Sequence, residues 1–211
     1  MSDEYKAQQF CDLLATEYVI YVNTPGATID DVENKCIKFI KKQGDVRYNK
    51  FYNKRVDKTT PFLYVCRFNL KRIVNLMLMS DMDVNNADVT GDTAIISSIS
   101  WNFFNCIPVI HTLLAHGANC NIKNNDGNTA LFYAIRYNLT DVVTMLINGG
   151  ADFTEILDHN HDITVSKCMQ SRYHTVISNI IDDKSPDNKL SSAFRTTYAI
   201  QLVDIISQYV I

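Results

Sequence analysis

Apolar residues in this chain recur at helical spacing, in blocks separated by Gly, Asn and Asp. The first block, Glu4 to about Tyr18, places Phe10, Leu13 and Leu14 on one helix face, and Asn23-Thr24-Pro25-Gly26 breaks it. Thr28 offers an N-cap to a second helix striped by Val32, Cys36, Phe39 and Ile40, which Gly44-Asp45-Val46 closes. Then the pattern doubles into short helix pairs. Thr60-Pro61 starts an inner helix, Asn69-Leu70-Lys71 turns the chain, and Ile73, Val74, Leu76, Met77 and Leu78 form an outer helix.

These pairs repeat. Gly91-Asp92-Thr93-Ala94-Ile95, closing with His116-Gly117-Ala118-Asn119, returns as Gly127-Asn128-Thr129-Ala130-Leu131, closing with Gly149-Gly150-Ala151-Asp152. The closing Gly-Ala pairs lie 33 residues apart, and Thr60-Pro61-Phe62-Leu63 lies 33 residues before Thr93. A period of that length signifies an array of supersecondary units. Gly91 to Gly127 spans 36 residues, which places three extra residues in the Trp101–Pro108 turn. The units run from Arg55 to Asn86, Ala87 to Ile122 and Lys123 to Glu155. In the third, the inner helix is expected from Thr129 to Tyr137 and the outer from Asp141 to Ile147.

A degenerate fourth unit follows, opened by Asp162-Ile163-Thr164-Val165 and carrying Val176, Ile177, Ile180 and Ile181. After a polar loop, Ser192 to Tyr209 reads as an amphipathic capping helix, since an open array must cover its ends. The division expected is a helical cap or half repeat with an extended finger over 1–54, three repeats over 55–155, and a degenerate repeat with capping helix over 156–211.

The units resemble ankyrin repeats, most closely in Asp126-Gly127-Asn128-Thr129-Ala130-Leu131, Ala134, Asp141-Val142-Val143, Leu146-Ile147 and Gly149-Gly150-Ala151-Asp152. The resemblance implies an all-α solenoid of helix-turn-helix units with β-turn fingers and, here, irregular helical caps. It also implies a non-enzymatic module that binds a protein. Thr60, Thr93 and Thr129 suit inner-helix caps, Gly91 and Gly127 suit the finger turns, and Gly117 and Gly150 suit outer-helix ends. Departures are that Leu63, Ile96 and Phe132 stand where the family has His, and Lys58 stands at the first finger's turn Gly. The irregular ends and abundant Asn, Ile, Tyr, Lys and Asp also resemble ankyrin proteins of large AT-rich DNA viruses, poxviruses among them. An AT-rich protist or bacterial protein would share that composition. Many poxviral relatives end in an F-box-like segment, but Phe194–Ile211 lacks its Leu-Pro start.

In such repeats partners meet the finger tips and the exposed, concave side of the inner helices. The motif places Asp57, Tyr64, Arg67 and Phe68 there in the first unit, Asp92 and Trp101 in the second, and Asn125, Asn128, Tyr133, Arg136 and Tyr137 in the third. Thr59, Val89, Thr90, Ser97 and Asp126 map beside them. Trp, Tyr and Arg are the types enriched in binding hot spots. For Phe68 and Trp101, packing under neighbouring units is the competing reading. Arg47–Arg55 alternates basic with aromatic residues. It reads either as a grip for an acidic partner or single-stranded nucleic acid, or as a hairpin whose aromatics pack at its base. Asn102-Phe103-Phe104-Asn105 reads either as a second partner contact or as buried packing.

Net charge of −3 argues against a general nucleic-acid or anionic-membrane binder. Cys11, Cys36, Cys66, Cys106, Cys120 and Cys168 include no C-x-x-C pair and read as buried thiols of an intracellular protein. The spacing of Cys106, His111, His116 and Cys120 fits no common zinc pattern, and Asp158-His159-Asn160-His161-Asp162 reads as a turn. No metal or cofactor is expected, nor any catalytic set, since phosphate loops, dinucleotide glycines and nucleophile elbows are missing. With neither a secretory signal nor an apolar run near the roughly 20 residues of a span, the expected location is cytoplasmic, with nuclear entry open. For a viral protein it would be the host cytoplasm. The Asn138-Leu139-Thr140 sequon would then be idle. Two further roles stay open: an adaptor acting through the C-terminal helix, and RNA binding through Arg47–Arg55.

Overall fold

A computed structural model describes residues 2–101 and 105–152, which lie in one compact unit, Met1–Phe153. The fourth unit, the C-terminal helix, Cys168 and residues 102–104 lie outside the described residues. The chain forms α1 (Asp3–Asn23), α2 (Ile29–Lys42), two 3₁₀ turns (Val46–Tyr48 and Lys50–Asn53), then α3 (Pro61–Arg67), α4 (Lys71–Met77), α5 (Ala94–Trp101), α6 (Ile107–Ala115), α7 (Ala130–Arg136) and α8 (Thr140–Asn148). The described residues hold no strand, only an isolated antiparallel bridge between Val56 and Thr59.

Helices α1, α3, α5 and α7 pack in sequence as an inner row, and α2, α4, α6 and α8 as an outer row. The N-terminal pair is thus a full member of the stack, though it lacks the repeat motif. Its first helix runs five residues past the expected end at Tyr18 and stops at Asn23, just before Thr24-Pro25, where the residue preceding proline avoids helical backbone. Thr28 and Asp31 form a reciprocal capping box at the start of α2.

Four helix ends share one pattern, the two inner ones with Asn and the two outer ones with Gly. Asn69 (φ 54°) and Asn138 (φ 55°) close α3 and α7, and Gly117 (φ 79°) and Gly150 (φ 88°) close α6 and α8. At each, the two backbone bonds of a Schellman motif form, as in Ala151 N–H to Leu146 C=O at 2.9 Å and Gly150 N–H to Ile147 C=O at 3.0 Å. Thr60 and Thr129 cap α3 and α7 through their hydroxyls, each accepting at 3.3 Å.

The fingers differ in length. In the second and third, Asp88 N–H meets Asp92 C=O at 3.1 Å and Asn124 N–H meets Asn128 C=O at 3.0 Å, with Gly91 and Gly127 at positive φ. The first closes one residue tighter, from Val56 to Thr59, and its positive φ falls on Asp57 (51°). Lys58 therefore needs no glycine freedom; an Asp tolerates the left-handed position beside it.

Basic and aromatic residues in Arg47–Arg55 do not form an extended finger. The two 3₁₀ turns drive Phe51 and Tyr52 into the core, where Phe51 meets Phe10 at 5.9 Å and Phe39 at 6.4 Å between ring centroids. Only Tyr48, 76% exposed, remains outside among its aromatics. That leaves a single ring where successive bases would need several.

Candidate partner-binding face

The inner helices of the three repeats, α3, α5 and α7, are seven or eight residues long, and on α3 and α7 three positions on one side escape full burial. On α3 these are Tyr64, Arg67 and Phe68, opposite buried Phe62, Leu63, Val65 and Cys66. The repeat spacing aligns them with Ser97, Ser100 and Trp101 in the second unit and with Tyr133, Arg136 and Tyr137 in the third. The face therefore carries Tyr64, Arg67 and Phe68 from the first unit and Tyr133, Arg136 and Tyr137 from the third, with Trp101 from the second and Ser97 buried.

Trp101 is 64% exposed, and the Arg67 guanidinium lies over its ring at 4.8 Å. A cation placed there fixes the indole without covering its outer face. Arg67 also pairs with the buried Asp88 carboxylate, which in turn accepts from the Thr90 and Asp92 N–H groups at 2.8 and 3.1 Å. One buried acid thus folds the second finger and anchors the arginine. Asn124 does the equivalent work in the third finger, accepting from Asp126 N–H at 3.1 Å and Asn128 N–H at 3.0 Å. Its amide donates to Asp92 at 2.8 Å and to the Tyr133 hydroxyl at 3.1 Å. Burial pushes the Asp92 carboxyl above its ordinary range, and the Asn124 bond opposes that shift.

Placement of the remaining candidates is uneven. Asp57, Arg136, Asp126, Val89 and Thr90 are exposed, whereas Tyr64, Arg67, Phe68, Asp92, Asn128, Tyr133 and Tyr137 are half-buried. Asn125 is exposed, yet its backbone N–H and side-chain amide bond Thr90 C=O and Val89 C=O, both at 2.9 Å, so it joins two fingers. Ser97 and Thr59 are buried rather than presented. Phe68 is partly covered by Tyr18, stacked at 4.0 Å, with Tyr64 edge-on at 5.2 Å. Tyr18 and its neighbour Tyr21, 5.7 Å away, extend the aromatic surface onto α1. The sequence reading missed Tyr21 because it ended the helix at Tyr18, and Tyr18 because α1 carries no repeat motif to map it onto the face; two tyrosines three apart were the available sign.

Asparagines stitch neighbouring units in the connections that follow the outer helices. Asn85 accepts from Asn119 N–H and Asn121 accepts from Asp152 N–H, each at 2.7 Å. The five described cysteines are free and buried. Burial lifts the Cys11 and Cys36 thiols to about 12 and Cys106 to about 11, far from thiolate reactivity at neutral pH. Among the described residues no His, Cys, Asp and Glu side chains gather to hold a metal ion. His116 Nδ1 instead sits 2.8 Å from Thr112 C=O of its own helix.

A family model described as ankyrin repeats, in three copies, matches residues 29–124 and 62–156. The chain belongs to the ankyrin-repeat family. An ankyrin repeat protein of fowlpox virus is 34% identical over 131 residues, which is 61% of this chain and 36% of that protein. A Dictyostelium discoideum protein named as a serine/threonine-protein kinase is 31% identical over 74 residues, 35% of this chain and 9% of its own length. The chain thus matches about a third of the fowlpox relative and a far smaller part of the other. Ankyrin repeats are in general non-enzymatic modules for protein–protein interaction. No helix among the described residues is long and apolar enough to cross a membrane.

Proposed function

We propose that this ankyrin chain binds a partner protein through the inner-helix face and finger tips, as a viral factor that sequesters or recruits a host innate-defence or restriction protein in the host cytoplasm. The observation that carries the binding face is Trp101, 64% exposed and held by an Arg67 that is itself fixed by Asp88. A large aromatic ring pre-positioned in water contributes contact area at little entropic cost on binding. The viral setting rests on the likeness to the fowlpox protein.

The test is affinity capture with mass spectrometry from host cells, comparing the wild type with a Tyr64→Ala, Trp101→Ala, Tyr137→Ala variant shown by circular dichroism to stay folded. A defence protein captured by the wild type, lost by the variant and bound directly when purified is the expected result. Partners held equally by both would move the site off this face. Burial of Phe51 and Tyr52 leaves RNA binding through Arg47–Arg55 without the stacking that motivated it.

A further inference from the structure

Cations are unevenly distributed along this acidic chain. Residues 35–72 hold twelve of its 20 Lys and Arg but only two of its 23 Asp and Glu. Residues 73–152 hold two Lys or Arg against seven Asp. Part of the excess is neutralised in place: Lys35 pairs with Glu17 at 2.6 Å, Arg47 with Asp45 at 2.7 Å, Lys54 with Glu4 at 3.5 Å, and Arg72 with Asp30 at 3.4 Å. Lys38, Lys41, Lys42 and Lys50 are exposed, and no described carboxylate lies within ion-pair reach of them.

Geometry gathers three of these on one surface. Along α2, Val32, Cys36 and Ile40 face the core, so Lys38, Lys41 and Lys42 share the opposite side at three- and four-residue spacing. Lys50 follows eight residues after Lys42 along the chain, with Tyr48 exposed between and the Arg47 guanidinium 5.8 Å from its ring. The helix dipole favours cations only in the last turn, which accounts for Lys41 and Lys42. It leaves Lys38 and Lys50 unexplained, and like charges three and four apart oppose helix formation.

We infer that this ridge, Lys38, Lys41, Lys42 and Lys50 around Tyr48, is a second interaction surface that docks a short acidic, Asp/Glu-rich protein segment. Charge complementarity selects the sign of the occupant. Its class follows from what surrounds the ridge. Phe51 and Tyr52 are buried and Tyr48 offers a single ring already faced by Arg47, so successive bases have no run of rings to stack on, and a long duplex or an anionic bilayer would also meet the acidic remainder of the stack. A short segment meets only the ridge.

Fluorescence anisotropy of the full chain with a labelled poly-glutamate peptide tests this, at low and physiological ionic strength. Parallel arms use a nucleic-acid duplex and phosphatidylserine vesicles. Salt-sensitive peptide binding that falls about tenfold or more in a Lys38→Glu, Lys41→Glu, Lys42→Glu, Lys50→Glu variant is expected. The Trp101→Ala variant should bind the peptide unchanged, which separates this surface from the inner-helix face. Peptide binding that is absent or untouched by the charge reversals overturns the proposal. So does tighter, ridge-dependent binding of the duplex or the vesicles.

Discussion

The N-terminal helix pair and the third repeat occupy equivalent places in the two rows, yet different forces hold them. The pair α1–α2 lacks the Thr-Ala-Leu opening and the Gly-Ala-Asp close. Long helices and an aromatic cluster of Phe10, Phe39, Phe51 and Tyr52 hold it instead. The third repeat contributes small side chains, Ala130 and Ala134, and depends on turns, caps and an asparagine-folded finger. A stack can accept either solution because each unit need only match its neighbour's surface.

Breaking the aromatic cluster should give the largest effect. Phe10 is fully buried, and Phe10→Ala should destabilise by about 3–5 kcal/mol, read from urea unfolding. Next is a contrast between two turns that look alike in sequence. A Cβ at Gly91 would stand 2.8 Å from the Asn125 backbone nitrogen, whereas one at Gly127 meets nothing within 4 Å. Gly91→Ala should cost about 3 kcal/mol, combining the left-handed backbone with overpacking, and Gly127→Ala about 1–2 kcal/mol for the backbone alone. Equal losses would show that the fingers separate easily.

The join between the N-terminal pair and the first repeat comes third. Helix α4 has no side-chain cap of its own, and the buried Glu33 of α2 accepts from the Arg72 N–H at 2.8 Å in its place. Glu33→Ala should cost about 2 kcal/mol by orphaning that donor, and Glu33→Gln less, since the amide oxygen still accepts. In the third repeat, Thr129→Ala removes a single cap and should cost about 1 kcal/mol.

The smallest effect is in the pH profile. Burial raises the Glu33 carboxyl above its ordinary 4.5, with Arg72 opposing. Its contribution is complete below 4.5 and is lost as pH rises through the raised value, so the wild type should lose stability relative to Glu33→Gln across that window. Asp31 behaves oppositely. Hydrogen bonds from Thr28 hold it below 3.8, and its contribution disappears as pH falls through that lowered value. Denaturation curves of Glu33→Gln and Asp31→Asn, each paired with the wild type, should show stability differences of opposite slope with pH.

Much was legible in the residues because the determinants are local. Thr60 and Thr129 cap through bonds three residues long, and Gly117 and Gly150 end helices through backbone freedom. The 33-residue period therefore determined the all-helical array and the side of each inner helix that faces outward. Tertiary structure decided what spacing does not encode. It sent Phe51 and Tyr52 inward, because the N-terminal pair needed large side chains to fill its core. It covered Phe68 with Tyr18, brought Asp88 to Arg67 across two units, and made Gly91 indispensable through a finger 34 residues away. Caps and turns act within one helical turn and are written in order along the chain. Burial, ion pairing and close approach depend on which surfaces meet, and that is settled only when the units stack.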